Sequence, residues 1–413
     1  MPQPGSVLLV HTRYRLPGGE DAVFAAERDL LAQHGWRVTT YERANAEVEG
    51  HLLQKLLLPF TALYSRRTVR EVRALIRQNH IALVHVHNTL LMVSPSVFWA
   101  CFREGVPVVQ TLHNFRLFCP NGILLRDGKI CEECPHRGLL CAVRHRCYRG
   151  SRAQSLLCAG VYALHRRLGT YRRVYLIALT EFDRQKLLEW NALAKKPVFD
   201  PAKLAVKPHF VALPPALSAA PMPWAARKNQ VVYAGRLEEL KGLRTAVAAW
   251  QRLCADPAFA PPALLIAGKG PLEAWAKAET AGLPVVFLGQ LPKGRLLALL
   301  AESRAALVPS LCYESFALVP AEAHALGTPV LASDIGNVGA AVTPGADGFR
   351  FAPGDAAALA GAVRTLWAAG SRLNPAAIRA AALAAYGPDQ NYARLMEIYD
   401  AALGGFAPCP PGG

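Results

Sequence analysis

The chain has 413 residues, 52% of them hydrophobic, and a formal net charge of +16 at neutral pH. That length exceeds one compact domain and suits two, and no run of 18 uninterrupted apolar residues offers a helix long enough to cross a membrane. The charge is uneven: residues 1–210 carry 30 Lys and Arg against 16 Asp and Glu, whereas residues 211–413 carry 16 against 14.

In chain order, Val7-Leu8-Leu9-Val10 is the first predicted strand. It has no basic leader before it and no small-residue cleavage site after it, so it reads as a buried strand rather than a signal peptide. Further strands are predicted at Val38–Tyr41, Ala82–Val86, Pro107–Thr111 and Tyr175–Leu179, with helices over 20–34, 66–79, 94–104, 152–170 and 181–191. The second half repeats the alternation with strands at Gln230–Ala234, Ala263–Ala267, Val285–Leu288, Ala305–Val308 and Pro329–Ala332. Between the halves, Pro208 to Pro223 holds five prolines and reads as a linker. A last helical pattern runs from Asn391 to Leu403, and Pro408 to Gly413 reads as a frayed tail. Strand-helix alternation of this kind predicts an α/β protein with two doubly wound, Rossmann-like domains whose strand C-termini face a central cleft. The expected boundaries are 1–210, joined by a helix over 388–404, and 211–387.

Polar residues recur at the predicted strand ends: His11 and Gly18-Gly19, His87-Asn88, His113-Asn114, Arg236, Gly268-Lys269-Gly270, and Ser310 to Glu314. Gly235-Arg236 with Lys241-Gly242 places two cations near the start of a helix, where they can stabilise the charge that develops on a leaving diphosphate. An ordinary basic loop is the plainer reading. Glu314 and Glu322 lie eight residues apart where a strand turns into a helix. Ser315 and Phe316 are expected to open that helix and offer free N–H groups to a phosphate. Glu314 as a helix cap with Glu322 on the surface is one alternative; a glycosidase acid/base pair is another.

These pieces resemble the donor-binding half of family 4 glycosyltransferases. The resemblance rests on Gly235-Arg236…Lys241-Gly242, Gly268-Lys269-Gly270-Pro271, Tyr313-Glu314-Ser315-Phe316…Glu322-Ala323, Leu326-Gly327-Thr328-Pro329-Val330 and Asp347-Gly348-Phe349…Pro353-Gly354-Asp355. It covers most of residues 229–356. It implies a retaining enzyme of the GT-B fold that uses a UDP- or GDP-linked sugar. Arg236 and Lys241 would bind the diphosphate, Glu314 the sugar, Glu322 the ribose, and Gly268 to Pro271 would lie near the base. Lys269 departs from the acidic or small residue common there. The first half is similar to a subset of the family through Gly18-Gly19-Glu20, His85-Val86-His87-Asn88, Thr111-Leu112-His113-Asn114 and a Cys-rich loop over 116–150. His113 would lie near the reacting sugar, and Gly18-Gly19 would let the backbone approach the phosphates. The implied chemistry is front-face displacement, with the leaving phosphate taking the acceptor's proton and no cofactor required. A nucleotide-sugar epimerase or phosphorylase on the same fold, or a noncatalytic binding module, are the rival readings.

The Cys-rich loop holds Cys131-x-x-Cys134, then Cys141 and Cys147, with Cys119 upstream. A tetrahedral structural zinc on Cys131, Cys134 and Cys147, completed by Cys141 or Cys119, is one reading. Reduced free thiols and a redox or disulfide role are the others. Basic and apolar residues mingle at Lys55–Phe60 with Arg66, Arg67, Arg70, Arg73 and Arg77, and again at Arg144–Arg152, Arg166-Arg167 and Arg172-Arg173. Such surfaces suit an anionic membrane or a polyprenyl-diphosphate-linked glycan acceptor. No nucleic-acid motif is present, so no nucleic-acid partner is expected. The expected setting is cytoplasmic assembly of a polysaccharide, with the chain peripheral on the inner membrane face.

Overall fold

A computed structural model of the chain describes residues 5–13, 18–44, 47 and 52–405. The chain divides into two compact units, one of residues 1–124, 131–209 and 389–413, the other of residues 125–130 and 210–388.

The first unit is built on a six-stranded, all-parallel sheet: β1 (Ser6–Arg13), β2 (Arg37–Ala44), β3 (Leu83–Val86), β4 (Val108–Thr111), β7 (Tyr175–Ala178) and β8 (Leu204–Val206), in the order β2-β1-β3-β4-β7-β8. The central strands are fully buried and read as unbroken apolar runs such as Val7-Leu8-Leu9-Val10, as expected of a sheet covered on both faces. β1 is longer than its apolar run suggests. It pairs with β2 through Arg13↔Ala44, so His11 lies within the strand rather than after it. A short antiparallel hairpin, β5 (Leu125–Arg126) and β6 (Lys129–Ile130), interrupts the sequence between β4 and β7. The helix Pro388–Gly404 returns to this unit and buries Tyr392, Leu395, Met396 and Tyr399 there; Tyr392 accepts from Trp36 Nε1 at 3.1 Å.

The second unit carries β9 (Lys228–Ala234), β10 (Ala263–Ala267), β11 (Val285–Gly289), β12 (Ser303–Val308), β13 (Val330–Ser333) and β14 (Gly348–Phe351), all parallel, in the order β11-β10-β9-β12-β13-β14. Strand order reverses between β9 and β12, which are hydrogen-bonded neighbours. Loops leaving the C-terminal ends of such a pair diverge and leave a crevice where ligands bind. Leu243, Ala246, Val247 and Trp250 of the helix Leu243–Cys254 pack on one sheet face with Leu359, Val363 and Leu366. Leu297, Leu300, Ala323 and Val338 cover the other.

Candidate active site

The crevice of the second unit is formed by the segment after β9, Gly235 to Gly242, and the segment after β12, Pro309 to Ala317. Their backbones interlock: the Leu311 amide donates to Leu240 O at 2.9 Å, and Tyr233 Oη donates to the carbonyls of Arg236 and Lys241. Gly242 has φ +68°, and a Cβ there would lie 1.8 Å from Pro309 O, so only glycine lets the segments meet. Across this join Lys241 Nζ pairs with Glu314 Oε1 at 2.8 Å, and Ser310 Oγ also donates to that carboxylate. Asn337 Nδ2 holds the turn from beneath by donating to Glu314 O at 2.7 Å and Ser315 O at 3.0 Å. Arg236 extends outward, mostly exposed, with Glu238 at 3.2 Å. The buried Cys312 thiol lies within the field of Glu314, Lys241 and Arg236 together, and burial first and then Glu314 push its pKa up to about 11. The structure therefore gathers Arg236, Lys241 and Glu314 at one end of the sheet.

Gly268 and Gly270 sit behind this loop rather than in open space. A Cβ on Gly268 would lie 1.8 Å from Gly235 O, and one on Gly270 would lie 2.4 Å from Leu237 O. Lys269 O accepts from the Leu237 amide at 3.0 Å. A Cβ on Gly235 would meet nothing within 4 Å, which leaves its open side to a ligand.

One local expectation is corrected. Ser315 and Phe316 do not open the helix, which runs Leu318–Ala325 with Ala317 as its N-cap. The chain stays irregular through Ser315 because Asn337 and Ser310 hold it there. Phe316 turns into a small apolar cluster with Val211, Ala321 and Tyr386, its ring edge-on to Tyr386 at 5.6 Å. Nor is Glu322 a surface residue. It is 3% exposed and paired with Lys293 from the helix Lys293–Glu302, and burial pushes its carboxyl up against the pull of that ammonium.

In the first unit Gly18 N-caps the helix Gly19–Gln33, and its amide donates to Asp21 Oδ2 at 2.9 Å. A Cβ on Gly18 would meet nothing within 4 Å. His113 follows β4, partly buried, and its Nε2 lies 3.0 Å from His87 Nδ1. Burial first, then the neighbouring imidazoles of His87 and His209, drive its pKa well below the usual histidine range.

Cys119, Cys131, Cys134, Cys141 and Cys147 are all free thiols. Burial raises the Cys134 thiol to about 12, with Cys119, Cys141 and Cys147 close enough to add to the effect. Among the described residues, however, the side chains whose ligand atoms converge are Glu27, His85 and His87, and Glu132, His136 and Glu189; no cysteine sulfur belongs to either group. Ion pairs and hydrogen bonds also hold the loop. Glu132 accepts from Lys186 and from Trp190 Nε1, and Glu133 lies 3.1 Å from His145.

On the basic surface, Arg66, Arg70, Arg73 and Arg77 of the helix Arg66–Gln78 line a groove of ≈ 680 Å³ together with Tyr64 and Arg103. Glu104 pairs with Arg73 and Arg77. Phe60 and Leu57, on the preceding helix Leu52–Leu63, are 71% and 47% exposed. No helix among the described residues is long and apolar enough to cross a membrane.

Sequence reasoning missed Glu27, Lys207, His209, Arg103, Lys293 and Asn337. For Glu27 a signal existed: it falls on the inward stripe Val23, Phe24, Leu30, Leu31 of its helix, where a carboxylate requires a partner.

Residues 228–369 match the family described as Glycosyl transferases group 1. The glycogen synthase of Mycobacterium tuberculosis is 41% identical over 159 residues, covering 36% of this chain and 38% of that protein. A GDP-mannose-dependent alpha-(1-6)-phosphatidylinositol dimannoside mannosyltransferase of the same species is 35% identical over 137 residues, covering 33% and 35%. The chain thus spans less than two fifths of each of these curated relatives. Among solved structures, sucrose-phosphate synthase from Thermosynechococcus elongatus aligns with a TM-score of 0.68 at 19% identity over 97% of this chain and 99% of that one. Anabaena HepE in complex with UDP aligns with a TM-score of 0.61 at 16% identity over 96% and 100%. At such identities these likenesses concern the fold, and the fold is GT-B.

Proposed function

We propose that the chain is a retaining glycosyltransferase that moves a hexose from a nucleoside-diphosphate sugar to a glycan or a lipid-linked glycan in polysaccharide assembly. The observation that carries this reading is the Lys241–Glu314 pair at the point where strand order reverses, inside the stretch that matches group 1 glycosyl transferases. Lys241 and Arg236 meet the diphosphate and stabilise the charge it gains as the glycosidic bond breaks. Glu314 exchanges its ammonium contact for hydroxyls of the donor sugar, and Glu322, held by Lys293, accepts from the ribose. The family resemblance assigns His113 to the reacting sugar. The acceptor hydroxyl attacks from the face the diphosphate leaves, and the departing phosphate takes its proton. The donor is a UDP- or GDP-sugar; HepE was solved with UDP, and the mannosyltransferase relative is named for GDP-mannose.

The first unit is the acceptor side, and its Arg66–Arg103 groove with Leu57 and Phe60 binds the anionic inner face of the cytoplasmic membrane. For the Cys-rich loop, any zinc must draw Cys131, Cys147 and either Cys119 or Cys141 onto Cys134. Stoichiometric zinc in the purified chain supports that role, and a metal-free chain with an unchanged thermal midpoint ends it.

A panel of nucleotide sugars screened for thermal stabilisation and then for hydrolysis and transfer tests the main reading. Lys241→Ala and Glu314→Ala are each expected to lower turnover by about 10²–10³, or roughly 2.7–4 kcal/mol, with the fold intact. Near-normal turnover in either variant overturns the site assignment.

A further inference from the structure

The first unit buries a chain of ionisable groups that leads to His113 and that the transfer chemistry above does not otherwise use. Lys207, 1% exposed, donates to Glu27 Oε2 at 2.8 Å and to Asn391 Oδ1 at 3.0 Å. The other oxygen of Glu27 lies 3.3 Å from His87 Nε2 and 3.0 Å from His85 Nδ1. His85 Nε2 lies 2.8 Å from Thr111 Oγ1, and His85 Nδ1 also lies 2.9 Å from Tyr399 Oη. His87 Nδ1 then reaches His113 Nε2 at 3.0 Å. His113 stacks on His209, with ring centroids 5.2 Å apart.

The positions of the protons follow from these distances. Burial pushes the Glu27 carboxyl up, but Lys207 and the imidazoles outweigh burial and hold it well below the usual range, so it is a carboxylate and only accepts. Burial holds His87 neutral, with its pKa near 4. A neutral imidazole has one N–H and one lone pair. His87 Nε2 lies 3.3 Å from Glu27 Oε1, not aligned as a hydrogen bond, but a lone pair that close to a buried carboxylate would be repelled, so the proton sits there. His87 Nδ1 is then the acceptor, and the bond to His113 requires the proton on His113 Nε2. That leaves the lone pair of His113 at Nδ1. His87, Asn88, His113 and Asn114 line a hollow of ≈ 20 Å³, room for about one hydroxyl.

Glu27, His85 and His87 also converge as metal ligands do. The Lys207 ammonium on the same carboxylate already supplies the positive charge, so the group is better read as a proton-ordering device than as a cation site.

We propose that Lys207, Glu27 and His87 are positioning residues that fix His113 as a neutral Nε2–H tautomer and present its Nδ1 lone pair to a hydroxyl of the bound sugar. This rests on the glycosyltransferase reading for the identity of the ligand, but the proton order does not.

Long-range ¹H–¹⁵N correlation spectra of the full chain near neutral pH give each ring's tautomer directly. His87 and His113 are both expected as Nε2–H. Glu27→Gln replaces a pure acceptor with a group that also donates, and should move both rings toward Nδ1–H or a mixture. Transfer, where a donor has been found, should fall about tenfold in that variant. A wild-type His113 protonated at Nδ1 overturns the proposal, as do tautomers unchanged by Glu27→Gln. The wild-type spectrum decides the first point even if the variant does not fold. Tautomers as assigned in a chain that transfers no sugar would instead remove the glycosyltransferase reading and leave the proton order standing.

Discussion

His87 and His209 show how strongly burial alone can set a side chain's state. The pKa of His87 is driven down to about 4 by desolvation, against the upward pull of the Glu27 carboxylate, and that of His209 to about 3 by desolvation first and the Lys207 ammonium second. The unfolded chain protonates both near 6.5. Between that value and the folded ones the unfolded state binds more protons, so stability is full above about pH 6.5 and is lost as the pH falls toward 4. His87 alone accounts for ~3 kcal/mol over that range. Urea midpoints at about pH 7.5, 6 and 5 should fall in that order, and a flat series would remove the claim that these rings are buried neutral. At this scale the positions of Arg236, Lys241, Glu314 and His113 were legible in the sequence, since all lie on segments that follow apolar runs. The sequence was not legible for Lys207 and Glu27, which lie 180 residues apart and gain their meaning only from each other.

The informative elements are the two loops at the reversal of strand order in the second unit. Their geometry depends on glycines that have no side chain to offer a ligand. Gly268→Ala would put a Cβ 1.8 Å from Gly235 O, at a backbone φ of +149° that L residues rarely adopt. We expect a loss of about 1–3 kcal/mol of stability, read by thermal or urea unfolding, and weaker nucleotide binding, because the Arg236 loop rests on this join. An unchanged unfolding midpoint would show that the loops part freely. Every strand foreseen from its apolar run is present. β8 and β14 were not foreseen: β8 has three residues, and β14 alternates glycine and arginine with phenylalanine, so neither makes a run long enough to read. The late start of the helix at Leu318 had no sequence signal either, since the Asn337 side chain that holds the preceding turn comes from 22 residues downstream of Ser315.

For the whole molecule, the charge asymmetry of the sequence has a definite location: four arginines on one helix face and Arg103 from another helix, with the exposed Phe60 on the helix that precedes them in the chain. Three of those arginines have no carboxylate within ion-pair distance among the described residues, since Glu104 takes only Arg73 and Arg77. Co-sedimentation with vesicles rich in anionic lipid is therefore expected, weakened by Phe60→Ser and weakened further, with less dependence on salt, by Arg70→Glu with Arg103→Glu. Equal binding to neutral vesicles would overturn the electrostatic account. The two-unit α/β design was legible from strand-helix alternation alone. The glycosyl transferase relationship covers residues 228–369, and the first unit has to be understood from its own residues.

The returning helix Pro388–Gly404 places a condition on how the chain can be made. Asn391 and Tyr399 complete the polar set around Lys207, Glu27 and His85, so the first unit cannot close its interior from the residues that leave the ribosome first. At ordinary synthesis rates the interval between Lys207 and Tyr399 is about 10–40 s. Through that time the second unit can fold as it emerges, while the first holds an ionised carboxylate and an ammonium without their last neighbours. The first unit completes its interior only when this helix arrives.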